Sequence, residues 1–409
     1  MSEQLESTRT FTSFVAALTW HLVSSHLSYH TAIAYRGRLQ LEAASLPMAQ
    51  RPERVLSIQS HVVFGYVGGK AAVFPLQCLG YDVDVVNTVN FSNHAGYGRS
   101  GGSRTTAAEL NSIFEAMEHN ELLMPTRILT GYIPGAEALS AVEKIASKLK
   151  HAKPSVIYLL DPVMGDAGRL YVAPEVIPVY REMLPLATII TPNWFEVELL
   201  TQIELKDMTS LRQALDVLHT QYHVPNIVIS SIPLEPWLYS ALSPSIRPPQ
   251  DEQHLLCISS SLFLPPPSHT HLPGPEMTHN TRPTVHAQCV ALIPGYFSGV
   301  GDLFSALLLA HFQPDITPEN IAATPLSEAA SQALSKTHAL LLMTHGQAMA
   351  LPEEERQPTD DELDKADPLR KTRRMRGREL ALVRGQDLIR GIGITHVREM
   401  MLWEDFWTA

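Results

Sequence analysis

The stretch GVGDLFSALLLAHF, which begins at Gly299, places an aspartate between a glycine-bracketed turn and an apolar helix. Gly299 and Gly301 allow the backbone to come close to a ligand, and the free amides of a helix start form an anion hole. Asp302 lies in the first turn, where its carboxylate can accept the proton of an attacking hydroxyl. Phosphoryl transfer depends mainly on alignment and charge stabilisation, so this arrangement suits that chemistry. Taken alone, the segment is equally consistent with an aspartate that compensates the helix dipole.

Other segments that carry polar residues, most of them with glycine, follow short apolar runs elsewhere in the chain. They are SHVVFGYVGGKAA from Ser60, NTVNFSNHAGYG from Asn87, LTGY from Leu129, DPVMGD from Asp161 and TPNWFEVELL from Thr191. In a parallel sheet, ligands gather at the carboxyl ends of the strands. We therefore expect these segments to surround one site.

The elements that must position these segments alternate between strand and helix patterns from Arg54 onward. Six short apolar or β-branched runs are typical of strands: RVLSIQ, DVDVVN, RILTGY, VIYLLDP, ATIIT and NIVISS. Four segments between them have apolar residues three or four apart, as helices do: KAAVFPLQCLG, TAAELNSIFEAMEH, AEALSAVEKIASKLK and LRQALDVLHTQY. This alternation predicts an α/β fold with a mainly parallel central sheet and helices on both faces.

Composition places the chain among soluble globular proteins. Of its 409 residues, 45% are hydrophobic and 18% charged, which allows one large α/β domain or two ordinary ones. The formal net charge of −11 argues against nucleic acid as a partner, because such binding relies on cations that neutralise phosphates. The three cysteines have no paired spacing, so we expect neither disulfides nor a zinc site, and a reducing compartment.

Changes in composition divide the chain into three parts. We predict an N-terminal extension over residues 1–50 that is disordered or a targeting segment, one main domain over 51–350 with a proline-rich insertion at about 232–290, and a charged extension over 351–409. Within the insertion, LLCISSSLFL and HAQCVALIP could pair as antiparallel strands at the sheet edge. From Leu351, an acidic block precedes RKTRRMRGR. This pattern favours a solvated or disordered surface segment, with partner docking or nuclear localisation as the alternative.

The N-terminal stretch FTSFVAALTWHLVSSHLSYH is apolar in part, but three histidines interrupt it and no basic region precedes it. It is therefore not a convincing membrane span. Glu3 and Glu6 are unusual in mitochondrial presequences, so we expect a cytoplasmic protein, with the nucleus as a second location. Met48 is an alternative start, and we expect residues before it to be dispensable for folding and catalysis.

In their order along the chain, these segments resemble the pyridoxal kinases of the ribokinase-like superfamily. The resemblance covers roughly residues 54–312 apart from the insertion, and FSNH and DPVMGD are far more specific than a glycine turn. It implies ATP-dependent phosphorylation of the 5′-hydroxymethyl group of pyridoxal, pyridoxine and pyridoxamine by a homodimer. Two other hypotheses stay open: a related kinase for another small alcohol such as hydroxymethylpyrimidine, and a catalytically weak protein that binds pyridoxal phosphate.

The resemblance also implies a role for individual residues. The substrate pocket would comprise Ser60, Val67, Phe91, Ala95 and Tyr132, together with Asp302 as the base. The nucleotide would be bound by Asp161, Tyr171, Asn193, Glu196, Ser230, Ser231 and Val300. Mg²⁺ and a monovalent cation, K⁺ or Na⁺, would be held by Asp161, Asp166, Thr191 and Glu196, since oxygen ligands suit both ions. Without the resemblance, the apolar members would be interpreted as core residues and the serines as strand-end caps.

Three positions depart from the family pattern, the first of which is Gly69, where members frequently have an asparagine. Ala95 stands where many members have a threonine whose hydroxyl touches the substrate, and Val300 stands where others have threonine, although valine also occurs there. Loss of one neutral hydrogen bond usually costs about 0.5–1.5 kcal/mol. We therefore expect Ala95 to affect affinity or vitamer preference before it affects activity.

Overall fold

The computed structural model describes residues 53–250, 252–262, 282–316, 318, 320 and 322–408. These residues belong to one compact unit. The predicted N-terminal extension, its alternative start at Met48 and the PPP run at 265–267 lie outside the described residues.

The sheet confirms the predicted mainly parallel architecture. The strands are β1 (Arg54–Val62), β2 (Asp82–Phe91), β3 (Gly102–Arg104), β4 (Arg127–Thr130), β5 (Ile157–Leu160), β6 (Gly165–Asp166), β7 (Arg169–Leu170), β8 (Ile189–Ile190), β9 (Asn226–Pro233), β10 (His254–Ser261), β11 (Thr284–Ala291) and β12 (Met401–Leu402). In the described part of the chain, ten of them form one sheet in the order β12-β11-β10-β9-β8-β5-β4-β1-β2-β3, while β6 and β7 form a separate hairpin. From β9 to β2 every neighbouring pair is parallel, whereas β3, β10, β11 and β12 join antiparallel.

Helices cover both faces of this sheet, as the sequence predicts. They are α1 (Gly69–Cys78), α2 (Ala107–His119), α3 (Ala136–Ala152), α4 (Val176–Met183), α5 (Trp194–Thr201), α6 (Met208–Asp216), α7 (Pro236–Ala241), α8 (Val300–His311), α9 (Pro325–Met349), α10 (Glu353–Arg356), α11 (Asp361–Ala366), α12 (Pro368–Arg376) and α13 (Gln386–Ile389). None of the helices in the described ranges has the length and apolar character needed to cross a membrane.

Alternating residues of the strands supply two separate cores. In β1, Leu56 packs in the core that α2 to α6 cover, while its neighbour Val55 packs in the core that α1, α8 and α9 cover. Ile128 and Leu129 of β4 divide in the same way. Because successive side chains of a strand point to opposite faces, a strand covered on both sides is a continuous apolar run.

The two apolar stretches of the predicted insertion pair as expected. β10 and β11 run antiparallel with Leu256 opposite Cys289, and β10 also pairs with β9. Leu256 and Ile258 of β10 are buried. The chain between these strands, residues 263–281, lies outside the described residues, and the boundaries of the insertion stay a prediction.

The charged C-terminal segment, which we define as residues 351–408, packs on the same unit. Asp364 accepts a hydrogen bond of 2.6 Å from Arg370 and pairs with Arg374, and all three side chains are buried. Met401 and Leu402 pair with β11. The structure thus differs from the disordered segment that the charge pattern allows, because opposite charges of the two blocks pair with one another. Most residues of the acidic block are nevertheless exposed, as in the solvated surface segment that the pattern also allows.

Candidate active site

A cleft of about 670 Å³ lies where the parallel strands end. Every residue that the sequence assigned to the site lines it: Ser60, Val67, Phe91, Ala95, Tyr132, Asp161, Asp166, Tyr171, Thr191, Asn193, Glu196, Ser230, Ser231, Gly299, Val300, Gly301 and Asp302. The strand ends therefore bring together segments that are far apart in the sequence. Their individual roles stay predictions.

The glycine turn before α8 has a conformation that other residues rarely adopt. Gly299 has a φ of 82°, and a Cβ there would lie 2.1 Å from the carbonyl oxygen of Tyr66. In the described part of the chain, no side chain caps the start of α8, so its first amides are available to a ligand. A Cβ at Gly301 would lie 4.0 Å from a carboxylate oxygen of Asp161, which places this turn beside the acidic residues.

Asp302 is oriented by the backbone of the loop that follows β1. The amide of Gly68 donates a 2.7 Å hydrogen bond to Oδ2 of Asp302. Burial raises the pKa of the Asp302 carboxyl, and the hydrogen bond from Gly68 opposes that rise only in part. The carboxylate is consequently fixed in direction and more basic than a solvated aspartate, as suits an acceptor of a hydroxyl proton.

Asp161, Glu196 and Asp166 form what we call the acidic end of the cleft. Asp161 is 6% exposed and Glu196 3% exposed, whereas Asp166 is exposed. Burial raises the pKa of Asp161, and the negative charge of Asp302 raises it further. Burial also raises the pKa of Glu196, and the negative charge of Asp161 adds to that rise. Among the described residues, none of these three carboxylates pairs with a basic side chain. This end of the cleft therefore favours a cation.

A chain of hydroxyl groups holds Asp161. The hydroxyl of Ser305 on α8 donates to Oδ2 of Asp161 at 3.0 Å, and the hydroxyl of Thr191 lies 2.9 Å from that of Ser305. With Ser305 donating to the carboxylate, Thr191 donates to Ser305. Ser305 is absent from the residues that the sequence predicted, since within an apolar helix it gives no signal of contact with a strand end.

Asn193 and Glu196 form a capping box at the start of α5. Oε2 of Glu196 accepts a 2.9 Å hydrogen bond from the backbone amide of Asn193. In return, Oδ1 of Asn193 accepts a 2.9 Å hydrogen bond from the backbone amide of Glu196. Oε1 of Glu196 also accepts the amide of Met164 at 2.8 Å, and the side-chain amide of Asn193 donates to the carbonyl of Gly165 at 2.8 Å. The NxxE spacing is thus a helix cap that also fixes the loop after β5.

A small hairpin carries Asp166 and Tyr171 over the acidic end. Ala167 and Gly168 connect β6 to β7 with φ values of 48° and 74°, as a two-residue hairpin turn requires. The amide of Ala167 donates to Oδ1 of Asp166 at 2.7 Å. Tyr171 is 54% exposed while it lines the cleft, a position consistent with the predicted flap.

Another part of the lining, which we call the acceptor end, consists of Ser60, Val67, Phe91, Ala95 and Tyr132. Ala95 begins a short 3-10 turn, Ala95–Tyr97, and its side chain is exposed to the cleft. Ser60 is buried, and a Cβ at Gly68 would collide with its hydroxyl at 2.1 Å. The loop after β1 therefore passes close to the floor of this end.

An apolar wall that the sequence analysis did not assign completes the cleft. It comes from β10, from the end of β11 and the residues after it, and from α9: Leu255, Cys257, Val290, Leu292, Ile293, Leu334 and Leu341. The two apolar stretches of the insertion contain most of these residues. Their pairing as strands was predicted, but no motif indicates that one face of the pair meets the cleft.

Comparison with known proteins assigns the chain to a family. A curated pyridoxal kinase of Arabidopsis thaliana is 38% identical over 301 residues, which span 73% of this chain and 85% of that protein. The chain belongs to the pyridoxal kinase family. The pyridoxal kinase of Homo sapiens is 36% identical over 262 residues, 63% of this chain and 76% of that protein. A family model described as phosphomethylpyrimidine kinase matches residues 104–236.

A solved relative extends this comparison to the fold. The structure of pyridoxal kinase from Leishmania donovani in complex with ADP and pyridoxamine has a TM-score of 0.65 and 29% sequence identity, and the match covers 86% of this chain and 99% of that one. The predicted ribokinase-like α/β fold and the predicted family are confirmed.

Proposed function

We propose that the chain catalyses ATP-dependent phosphorylation of the 5′-hydroxymethyl group of pyridoxal, pyridoxine and pyridoxamine. Membership of the pyridoxal kinase family supports this activity, as do relatives from Leishmania donovani solved with ADP together with pyridoxamine or pyridoxine. The observation that carries it is the place of Asp302. Its oriented carboxylate lies at a helix start, in the same cleft as the acceptor end and the acidic end.

The geometry supports a direct transfer. The acceptor end would enclose the flat pyridine ring, with Ser60 as a polar partner for the ring or its 3-hydroxyl. The 5′-hydroxyl oxygen would form a bond to the γ-phosphorus of ATP while the bond to the bridging oxygen breaks and ADP leaves. Asp302 would take the hydroxyl proton, and the amides of residues 299–301 would stabilise the charge on the phosphoryl oxygens.

Ser230, Ser231 and Val300 line the cleft, which supports their predicted place in a nucleotide site. The sequence predicted that these serines end a strand, but they lie within β9, at an irregularity in its pairing with β10. Their hydroxyls would bind the phosphates of ATP, as the family resemblance implies. The apolar wall from β10, β11 and α9 would then cover the adenine ring of ATP. The predicted use of ATP is supported by the ADP complexes of the relatives.

The residues of the acidic end fit Mg²⁺. Among the described residues, no group of three or more His, Cys, Asp and Glu side chains is arranged to hold a metal without help. Mg²⁺ commonly binds through one or two carboxylates together with substrate phosphates and water. The carboxylates of Asp161, Asp166 and Glu196 suit that mode, because in the described part of the chain no basic side chain pairs with them. The ion would neutralise charge on the phosphates. Thr191 and Asp161 offer oxygen atoms for a monovalent cation, K⁺ or Na⁺.

One assay tests this function. Purified protein with ATP, Mg²⁺ and K⁺ is given each B6 vitamer, and the 5′-phosphate is detected by chromatography. Hydroxymethylpyrimidine is included, because the match to the phosphomethylpyrimidine kinase model favours it as a second candidate acceptor. We expect a B6 vitamer to be the best acceptor. Faster turnover of hydroxymethylpyrimidine would overturn the assignment, and pyridoxal binding without any phosphorylated product would favour a binding protein.

We also propose that the protein works as a homodimer in the cytoplasm. Family resemblance supports the dimer, and the absence of paired cysteine spacing supports a reducing compartment. Light scattering of the purified protein measures its mass, and microscopy of a tagged chain measures its location. A monomer at the concentration of the assay would contradict the first proposal.

A further inference from the structure

A glutamate of the C-terminal segment reaches the acceptor end of the cleft. Glu379 lies three residues after α12, and its side chain is 12% exposed. Oε1 of Glu379 lies 2.9 Å from Nε2 of His94 and accepts the Tyr97 hydroxyl at 2.7 Å, while Oε2 accepts the amide of Tyr66 at 2.8 Å. One carboxylate therefore joins the loop after β1 to the turn after β2.

His94 has both ring nitrogens engaged. The amide of Gly96 lies 3.2 Å from Nδ1 of His94 and can only donate, so Nδ1 is the acceptor. Nε2 then carries the hydrogen and donates it to Glu379. Although His94 lines the cleft, its nitrogens are already satisfied by protein groups, so the ring fixes the turn that presents Ala95.

The loop held by Glu379 is the same one that contacts the base and the glycine turn. Two residues after Tyr66, the amide of Gly68 orients Asp302. The carbonyl of Tyr66 lies against Gly299, where a Cβ would collide with it. A movement of residues 66–68 would therefore displace Asp302 and the acceptor wall together.

The chain makes room for Glu379 at a glycine. Gly65 has a φ of 94°, and a Cβ there would lie 2.6 Å from Oε1 of Glu379. Burial acts to raise the pKa of Glu379, but the hydrogen bonds from His94, Tyr97 and Tyr66 together outweigh it and lower the pKa. Glu379 is thus a charged acceptor at neutral pH, and hydrogen bonds to charged groups are stronger than neutral ones.

We propose that Glu379 is a positioning residue for the phosphate acceptor. Its carboxylate fixes residues 66–68 and Ala95–Tyr97 relative to each other, and so sets the width of the acceptor end and the direction of Asp302. The inference rests on the proposed function in one respect, that this end of the cleft receives the B6 vitamer. It assigns a role in the site to a segment whose charge pattern alone predicts a surface tail.

The test uses Glu379→Gln in the full chain. The glutamine side chain keeps the shape of glutamate but loses its charge. Both oxygens of Glu379 accept hydrogen bonds, so in either orientation the NH₂ group of glutamine would face a donor instead of an acceptor. We expect the KM for pyridoxal to rise about tenfold or more, with a fall in kcat, while the KM for ATP stays unchanged. Fluorescence titration with pyridoxal should show the same weakening in its Kd.

Glu355→Gln is the matched control. Glu355 belongs to the same segment and pairs with Arg376 at 3.0 Å, but it does not line the cleft. Tyr97→Phe is a milder second variant, because it removes one donor to Glu379 and keeps the carboxylate. We expect normal kinetics for the control and a severalfold rise in the pyridoxal KM for Tyr97→Phe.

The outcomes separate this inference from the proposed function. A wild-type protein that binds pyridoxal but does not phosphorylate it would overturn the proposed function, while weaker pyridoxal binding by Glu379→Gln would still support the positioning role. A lower melting temperature with unchanged pyridoxal KM and Kd would overturn the positioning role and leave the function intact. If Glu379→Gln does not fold, an unchanged pyridoxal KM in Tyr97→Phe overturns it instead.

Discussion

The acidic end and the acceptor end of the cleft are fixed by contacts of very different length along the chain. At the acidic end, Glu196 bonds to Asn193, three residues away, and to Met164, 32 residues away. At the acceptor end, Glu379 bonds to His94 and Tyr66, which precede it by 285 and 313 residues. Glu196 is thus held by neighbouring motifs, although Ser305 reaches Asp161 of the same end across 144 residues. The acceptor end closes only when a segment about twice as distant docks. The two ends should therefore respond separately to mutation.

The largest expected effect is at Asp302, which belongs to neither end but lines the same cleft. Asp302→Asn keeps the shape of the side chain and removes the base, so we expect kcat to fall by about 10²–10⁴-fold with ATP binding retained. Steady-state kinetics and nucleotide titration measure the two quantities. Asp315→Asn, at an exposed position beyond α8, is the control. Near-normal turnover in a folded Asp302→Asn protein would remove Asp302 from the mechanism.

Glu196→Gln tests the acidic end alone. Its loss of charge should raise the Mg²⁺ concentration needed for half-maximal activity about 10–100-fold, while the pyridoxal KM stays unchanged. Glu109→Gln is matched in chemistry, because Glu109 forms the capping box of α2 away from the cleft. A pyridoxal KM that rises as much as in Glu379→Gln would show that the two ends are not independent.

Asp364 tests whether the C-terminal segment is an integral part of the fold. The hydrogen bond from Arg374 lowers the pKa of Asp364 to about 2 against the opposing effect of burial, with Arg370 adding to the decrease. A lowered folded-state pKa stabilises the protein above the unfolded value near 4, and this stability is lost as the pH falls towards 2. We expect a loss on the order of 1 kcal/mol in the free energy of unfolding.

Denaturant unfolding of the wild type and of Asp364→Asn, from pH 5 to the lowest workable pH, measures this effect. The variant should show a flatter pH dependence below pH 4. Asp361→Asn, on the exposed face of the same helix, should behave as the wild type. Equal slopes in all three proteins would mean that the buried ion pairs of this segment contribute nothing to acid stability.

The smallest expected effect is at Ala95. Ala95→Thr adds a hydroxyl at the acceptor end, so the KM for at least one vitamer should change by up to about tenfold while the KM for ATP stays constant. Ala116→Thr on the exposed face of α2 is the control. Identical kinetics for every vitamer would show that Ala95 does not face the acceptor.

The parallel sheet could be predicted from the sequence because its signals are local, whereas the residues of the acidic end were predicted through the family resemblance. Each strand is a short apolar run, and Asn193 and Glu196 meet through a spacing of three residues that the sequence displays directly. Asp302 is equally visible, since glycines bracket the turn before it. Parallel strand order then brings such strand-end residues together by topology alone.

Glu379 and the apolar wall were not predicted, for a physical reason. The basic run before Glu379 has the charge density of a solvated tail, and only folding reveals that Asp364 neutralises Arg370 and Arg374. His94 and Tyr66, which bond to Glu379, precede it by 285 and 313 residues. Contacts between residues so far apart produce no periodic pattern in the sequence. Likewise, alternation in β10 and β11 indicates which residues share a face, but not that this face meets a cleft.

The pairing of Met401 and Leu402 with β11 has a consequence for the order in which the protein matures on the ribosome. Residues up to Leu341, which complete the lining of the cleft, are synthesised before Glu379 and β12. Until then the edge of β11 is open to pairing with other chains, and the loop after β1 lacks its anchor. A nascent chain at this stage would already have the acidic end and the base, yet would hold a vitamer poorly. Translation of the C-terminal segment would therefore supply both the anchor at Glu379 and the strand that covers the edge of β11.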